Sequence, residues 1–238
     1  METSITINHR PATRESLQSV CNYFQLSYEV VTGDGHPLPV QIPRVTRQQL
    51  LSCLSTMNAR VGVEVGVASG RFSKQICYRN PALHLHLVDI CEGDGNYGEG
   101  VMKDTIERVR PYSTTIHRQY SVEAAKTFAD RSLDFVYLDA SHRLPDIITD
   151  MAAWIPKIRS GGIIAGHDYH LYRPKRWRHP DGTCTEGTPD RHAPRIQVKS
   201  AVDAWTSAYN ISPWFILGEM DAIGKDQREP SLSWFWVV

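Results

Sequence analysis

Residues 61–76, VGVEVGVASGRFSKQI, decide the fold. An apolar run carries Gly62, Gly66, Gly70 and a lone Glu64, then changes to a helical pattern. A buried strand has little use for a carboxylate, and glycine weakens a strand interior. Gly66 and Gly70 therefore mark a tight turn from a strand into a helix whose packed face includes Phe72 and Ile76. Glycine at such a turn lets a ligand approach the backbone closely.

Working outward, a rhythm starts at this stretch. Apolar runs occupy 61–66, 83–89, 134–139 and 161–167, with a weaker one at 113–118. Helical patterns lie between them, as in LPDIITDMAAWIPKI, where Ile147, Met151, Ile155 and Ile158 share a face and Pro145 suits a first turn. Strands alternating with helices predict a parallel sheet covered on both faces. After the helical IQVKSAVDAWTSAY, the runs WFILGE and SLSWFWVV follow one another with no helix between them, which predicts an antiparallel hairpin closing the sheet edge. The fold class is thus α/β: a doubly wound, mostly parallel, seven-stranded sheet with a C-terminal hairpin. Upstream, 13–24 and 46–57 read as helices, the second with Leu50, Leu54 and Met57 on one face, and 32–43 reads as a connection broken by glycine and proline. Residues 1–58 form a helical extension that covers the acceptor side or builds a contact in a homo-oligomer, and 59–238 form the main domain.

Composition narrows the function classes. The chain has 238 residues, with Lys+Arg and Asp+Glu at 26 each, so a broad electrostatic footprint for nucleic acid or an anionic membrane is not expected. The five cysteines (21, 53, 77, 91, 184) include no CxxC pair and read as reduced thiols. The polar beginning METSITINHRPATRES does not resemble a signal peptide, and no apolar run is long enough to span a bilayer. A cytoplasmic protein acting on a small molecule is the expectation.

The turn reads E-x-G-x-x-x-G, whereas a dinucleotide fingerprint would read G-x-G-x-x-G. The next strand, LHLHLVDI, ends in Asp89, the position from which an acidic side chain commonly binds ribose hydroxyls. These residues call for a ligand with a ribose and do not call for a pyrophosphate. VEVGVASGRFS together with Asp89 resembles the S-adenosylmethionine (SAM) site of class I methyltransferases. The resemblance, over about residues 58 to 238, implies that Glu64, Gly66 and Gly70 shape the methionine side and that Asp89 holds the ribose. It places Tyr120 and Ser121 of QYSVEAAKTF on the adenine side.

SLDFVYLDASH and GGIIAGHDYH are a second pair of strands, each ending in an aspartate, Asp139 and Asp168. On neighbouring strands both carboxylates project into the ligand crevice, where they suit an oxygen-preferring divalent cation such as Mg²⁺. His142 follows three residues after Asp139, and His167 precedes Asp168; histidine accepts a proton near neutral pH. LDASH, DMAAWIPKIRSGGIIAGHDY and VKSAVDAW resemble the metal-dependent O-methyltransferases that modify sugar hydroxyls of antibiotics (macrocin O-methyltransferase-like), and more distantly the catechol and caffeoyl-CoA enzymes. The likeness implies Asp139 as a metal ligand, His142 as general base and Asp168 as a second ligand. His167 stands where that group has an acidic residue, which makes it the candidate third ligand. Tyr169 stands where catechol-type enzymes carry Asn. The strand histidines His84 and His86 and the aromatic SWFWVV read as structural.

Residues 170–193 lack periodicity and read as an insertion loop beside the site, a lid or specificity element. Its Arg173, Lys175, Arg176 and Arg178 suit an anionic acceptor. Other readings remain at this level: a metal-independent methyltransferase for N or carboxylate acceptors, and a non-catalytic SAM-binding protein.

Overall fold

In the computed structural model, residues 13–33, 38–92, 98–170, 176–178, 184–186, 197–218 and 232–238 are described. In chain order the elements are α1 (Arg14–Phe24), α2 (Tyr28–Thr32), β1 (Val40–Ile42), α3 (Arg47–Thr56), β2 (Val61–Val65), α4 (Arg71–Arg79), β3 (His84–Val88), α5 (Glu99–Val109) and β4 (Thr114–His117). They continue with α6 (Ser121–Ala125), β5 (Leu133–Leu138), α7 (Leu144–Trp154), β6 (Ile158–Gly166), β7 (Arg176–Arg178), β8 (Cys184–Glu186), α8 (Val198–Ala208), β9 (Phe215–Leu217) and β10 (Ser233–Val237).

The main sheet has the order β1-β9-β10-β6-β5-β2-β3-β4. From β2 the chain winds outward through β3 to β4, then crosses back to β5 and continues the other way through β6. β2 and β5 are therefore neighbours at the point where the winding reverses, and their register runs from Gly62 opposite Phe135 to Val65 opposite Leu138. Ligand crevices open beyond the carboxyl ends of strands at such a point. β10 runs antiparallel to both β6 and β9, as the helix-free end of the sequence predicts.

The seven strands expected from the apolar runs are all present, and among the described residues the sheet has an eighth. Val40–Ile42, inside the stretch read as a broken connection, pairs in parallel with β9. Its three residues lie between Pro39 and Pro43, too short a run for alternation to be visible. The hairpin therefore does not end the sheet; a strand from the N-terminal stretch does.

Both faces of the sheet are covered. Leu17 and Val20 of α1, Leu50 and Leu54 of α3, and Phe72 and Ile76 of α4 pack against Phe135, Tyr137, Phe215 and Phe235 on one face. Met151 and Trp154 of α7 and Val202 and Trp205 of α8 pack against Val63, Val136, Trp234 and Trp236 on the other. The period of two in β10 sends both tryptophans to one face, where they stack 5.2 Å apart, and sends Phe235 to the opposite face, stacked on Phe215 at 4.8 Å. SWFWVV is core, as its sequence suggests.

Local chemistry fixes the helix starts. Thr46 caps α3 in a capping box with Gln49, which sets the direction in which Arg47 leaves the first turn. Pro145 occupies the first turn of α7. Cys21, Cys53, Cys77 and Cys91 are free and buried. No described helix is long and apolar enough to cross a membrane. Of the loop 170–193, the described residues are His170 and the two short strands β7 and β8, an antiparallel ribbon. Arg173 and Lys175 lie outside the described residues, as do the side chains of Arg176 and Arg178.

Candidate active site

β2 delivers the glycine turn. Gly66 has φ +86° and Gly70, the N-cap of α4, has φ +67°, both in the left-handed region that favours glycine. A Cβ on Gly66 would lie 2.3 Å from the Asp139 carbonyl oxygen. The tight neighbour of Gly66 is thus the end of β5, so the chain itself already requires glycine there, whatever a ligand requires. The turn is braced from α5, where the Thr105 hydroxyl donates to the Ala68 carbonyl at 2.9 Å and Arg108 donates to the Ser69 carbonyl.

Asp89, just past β3, accepts from the backbone amides of Val67 (2.8 Å) and Ala68 (3.0 Å) through Oδ2, and from Cys91 (2.8 Å) through Oδ1. The residue read from sequence as a ribose ligand therefore also ties the glycine turn to the next loop. Glu64 is buried inside β2 and accepts from the Ser73 hydroxyl at 2.5 Å. Burial pushes its carboxyl up to about 8, against the Ser73 hydrogen bond and with help from the nearby Asp139 charge.

Of the two adenine-side candidates, Tyr120 is exposed at the N-cap of α6. Ser121 faces inward, where its hydroxyl accepts from the Trp154 indole at 2.9 Å and hydrogen-bonds Asp150. Asp150 is an acid that sequence reasoning missed. It is a buried residue on α7 that lines the same crevice as Asp139, His142 and His167, and burial pushes its carboxyl up to about 6. Its only sequence signal was a polar residue on an apolar helix face.

β5 and β6 are paired with Leu138 opposite Gly166, so Asp139 and Asp168 emerge side by side. Asp168 is buried and holds φ +55°, a backbone conformation that non-glycine residues seldom adopt. His142 Nε2 lies 2.6 Å from Asp168 Oδ2 and 3.9 Å from Asp139 Oδ1. His167 Nδ1 lies 3.5 Å from Asp168 Oδ1 and 3.9 Å from Asp139 Oδ2, and His170 Nε2 lies 3.6 Å from Asp168 Oδ1. The His142 loop is anchored by α8, because Gln197 donates its amide to the His142 carbonyl at 2.9 Å and its side chain accepts from the Leu144 amide at 2.8 Å. Asp139, His142 and Asp168 each offer a ligand atom within 4.8 Å of the others. Two carboxylates and an imidazole fit a divalent cation in donor type and spacing. Sequence grouped Asp139, His167 and Asp168; this grouping brings in His142 instead, with His167 close beside it.

A second residue unforeseen in the sequence is Arg47 of α3. Its Nη1 lies 3.4 Å from Asp139 Oδ2, and its guanidinium sits 4.1 Å over the Phe72 ring. A lone arginine after a helix cap gives no pattern to read.

Residues 63–169 match the family model described as a methyltransferase domain. A curated relative, the uncharacterized protein y4gI of Sinorhizobium fredii (strain NBRC 101917 / NGR234), is 26% identical over 113 residues, covering 45% of this chain and 12% of that protein. The chain thus spans about an eighth of that relative's length. Among solved structures, a Staphylococcus aureus protein assigned as a caffeoyl-CoA O-methyltransferase aligns with TM-score 0.53 at 14% identity, over 100% of this chain and 93% of that one. TomG of Streptomyces achromogenes, an O-methyltransferase of tomaymycin synthesis solved with SAM, aligns with TM-score 0.52 at 14% identity, over 99% and 93%. At such identities the structural likenesses establish the fold. The match over residues 63–169 makes that stretch similar to a methyltransferase domain, in a chain whose fold is shared with solved O-methyltransferases.

Proposed function

We propose that this enzyme transfers the methyl group of SAM to a hydroxyl of a small-molecule acceptor of sugar or natural-product type, with a divalent cation held by Asp139 and Asp168. The observation that carries the reading is the convergence of Asp139, His142 and Asp168 within 4.8 Å, with the Asp139 backbone packed against Gly66 of the glycine turn. The O-methyltransferases that share the fold, TomG among them, support an oxygen acceptor.

SAM carries its methyl on a sulfonium, so the chain's own task is to align the acceptor oxygen and help remove its proton. A cation bound between the carboxylates would lower the pKa of the acceptor hydroxyl. Gly66 and Gly70 shape the turn beside the methionine portion, with Glu64 beneath them. Asp89 has about four lone-pair sites, three of which take backbone amides, which leaves capacity for a ribose hydroxyl. Tyr120 flanks the adenine side, and Ser121 supports it through Trp154 and Asp150. His142 takes the acceptor proton, and Asp168 holds the imidazole in place. α3 brings Arg47 against Asp139 at the edge of the site.

One observation favours a second reading. A 2.6 Å contact between His142 Nε2 and Asp168 Oδ2 also brings an imidazole and a carboxylate close enough for a base that needs no metal. Incubation with methyl-labelled SAM and a panel of hydroxyl, amine and carboxylate acceptors, with and without chelator, separates the two. Label on oxygen that disappears on chelation and returns with Mg²⁺ supports the metal-assisted reading. Undiminished transfer in excess chelator sinks it and leaves the His142–Asp168 base. Binding of SAM with no transfer to any acceptor would favour a binding protein.

A further inference from the structure

Resting on the reading of Asp139 and Asp168 as cation ligands, we propose that Arg47 is a built-in counter-cation. It holds the affinity of the site for a divalent ion down until a negatively charged acceptor oxygen joins it. The residue comes from the N-terminal stretch, yet its guanidinium reaches Asp139 Oδ2 at 3.4 Å. The Thr46–Gln49 capping box fixes the start of α3, the Phe72 ring lies 4.1 Å beneath the guanidinium, and the Tyr137 hydroxyl hydrogen-bonds it. Phe72 lies in the first turn of α4 and Tyr137 in β5, so the elements that form the glycine turn and present Asp139 also place this charge. The side chain is one-fifth exposed, which limits screening by solvent.

A guanidinium stays charged at any working pH. Counted over these side chains alone, with His142 neutral, Asp139 and Asp168 bring two negative charges and Arg47 one positive, a net of one negative. A divalent ion makes it singly positive, next to a cofactor that itself carries a sulfonium. A deprotonated acceptor hydroxyl restores balance. Arg47 thereby makes tight cation binding conditional on the form of the acceptor that reacts. Without Arg47 the two carboxylates neutralise a divalent ion alone, and the site loads without an acceptor.

The test is titration of Mn²⁺ alone into the acceptor-free protein, read by calorimetry and by the paramagnetic resonance of free Mn²⁺. It compares wild type with Arg47→Met, which keeps the stem over Phe72, Arg47→Gln, which keeps a hydrogen-bond donor for Tyr137, and Arg47→Lys, which keeps the charge. Thermal unfolding confirms that each variant folds. Removing a unit charge a few ångströms from a bound ion should tighten Mn²⁺ binding at least about tenfold in whichever neutral variant folds, while Arg47→Lys stays near wild type. Neutral variants that bind Mn²⁺ no more tightly than wild type overturn the proposal and leave the metal reading standing. Absence of Mn²⁺ binding in every protein, wild type included, removes the metal reading and the proposal with it.

Discussion

The Nε2 of His142 lies 2.6 Å from Oδ2 of Asp168, a contact between a loop imidazole and a buried carboxylate on the neighbouring strand end. The pair is long-range in sequence and is made by the parallel pairing of β5 with β6. It brings one imidazole nitrogen against a buried carboxylate at the crevice, whichever of the two chemistries operates.

His142→Ala should therefore lower kcat by ~10²–10⁴-fold, the usual contribution of a positioned base, while SAM affinity changes little. Asp168→Asn should lower kcat as well, because it weakens the hold on the imidazole. Single-turnover rates at saturating SAM, set beside calorimetric SAM binding, measure the split. A His142→Ala rate within about threefold of wild type would move the base elsewhere, with His167 the next candidate.

Gly66 tests the architecture of the turn. A Cβ there meets the Asp139 carbonyl oxygen at 2.3 Å and its carbonyl carbon at 2.5 Å, on a backbone with φ +86°. Backbone atoms cannot give way as a flexible side chain can, and the left-handed conformation adds about 1–3 kcal/mol of strain. Even Gly66→Ala should lower the melting temperature and shift Asp139, weakening SAM and cation binding together. A melting temperature equal to wild type would show that the β2 and β5 ends are not packed this closely.

Glu64 gives stability a pH dependence. Its carboxyl sits at about 8 in the fold, above its ordinary value of 4.5, because burial disfavours the charge. Below about 4.5 it is protonated folded or unfolded. Between about 4.5 and 8 the folded chain keeps a proton that the unfolded chain has released, so stability falls as pH rises, by about 1.4 kcal/mol per unit, and levels off above about 8. Glu64→Gln keeps an acceptor for Ser73 and never ionises. Its melting temperature should gain on wild type steadily from pH 5 to pH 8. A gap that stays constant over that range would mean that Glu64 is ionised in the fold.

The sequence was most readable where period and strand order carried the information. The alternation of apolar runs with helical patterns gave the layers, and the strand ends gave Asp139 and Asp168, which the paired ends of β5 and β6 bring side by side. It was least readable where the partner is distant in the chain. Arg47 reaches Asp139 across 92 positions. His142 meets Asp168 only because the loop after β5 folds back over β6. Gly66 looked like a place for a ligand and is also a place for the Asp139 backbone. Spacing ties residues within one segment, so it suggested His167 beside Asp168, whereas loop geometry brings His142 to it. β1 escaped notice because three residues between prolines are too few to show a period.

The edge of the sheet beyond the crevice carries an acid-sensitive pair. His86 Nδ1 and His117 Nε2 lie 2.9 Å apart on β3 and β4, with Phe128 packed edge-on to the His86 ring 4.9 Å away. Two imidazole nitrogens at that distance share one hydrogen, so one ring must offer a lone pair, and protonating it breaks the contact. Burial, then the neighbouring His84 and His117 charges, lower His86 to about 4, and burial lowers His117 as well. An unfolded histidine titrates near its ordinary 6.5. The neutral pair thus contributes stability that is present above about 6.5 and lost as pH falls toward about 4. His86→Gln keeps a donor and an acceptor for His117 and does not titrate. Its melting temperature should fall less than that of wild type between pH 7 and pH 5, while turnover at pH 7.5 is unchanged because His86 lies outside the reacting groups. Both rings are only half-buried, so the gain will be modest. Proton titration followed by nuclear magnetic resonance gives the direct check, with the His86 ring protonating nearer 4 than 6.5. A ring that titrates at its ordinary value would show that β3 and β4 do not hold the two imidazoles together.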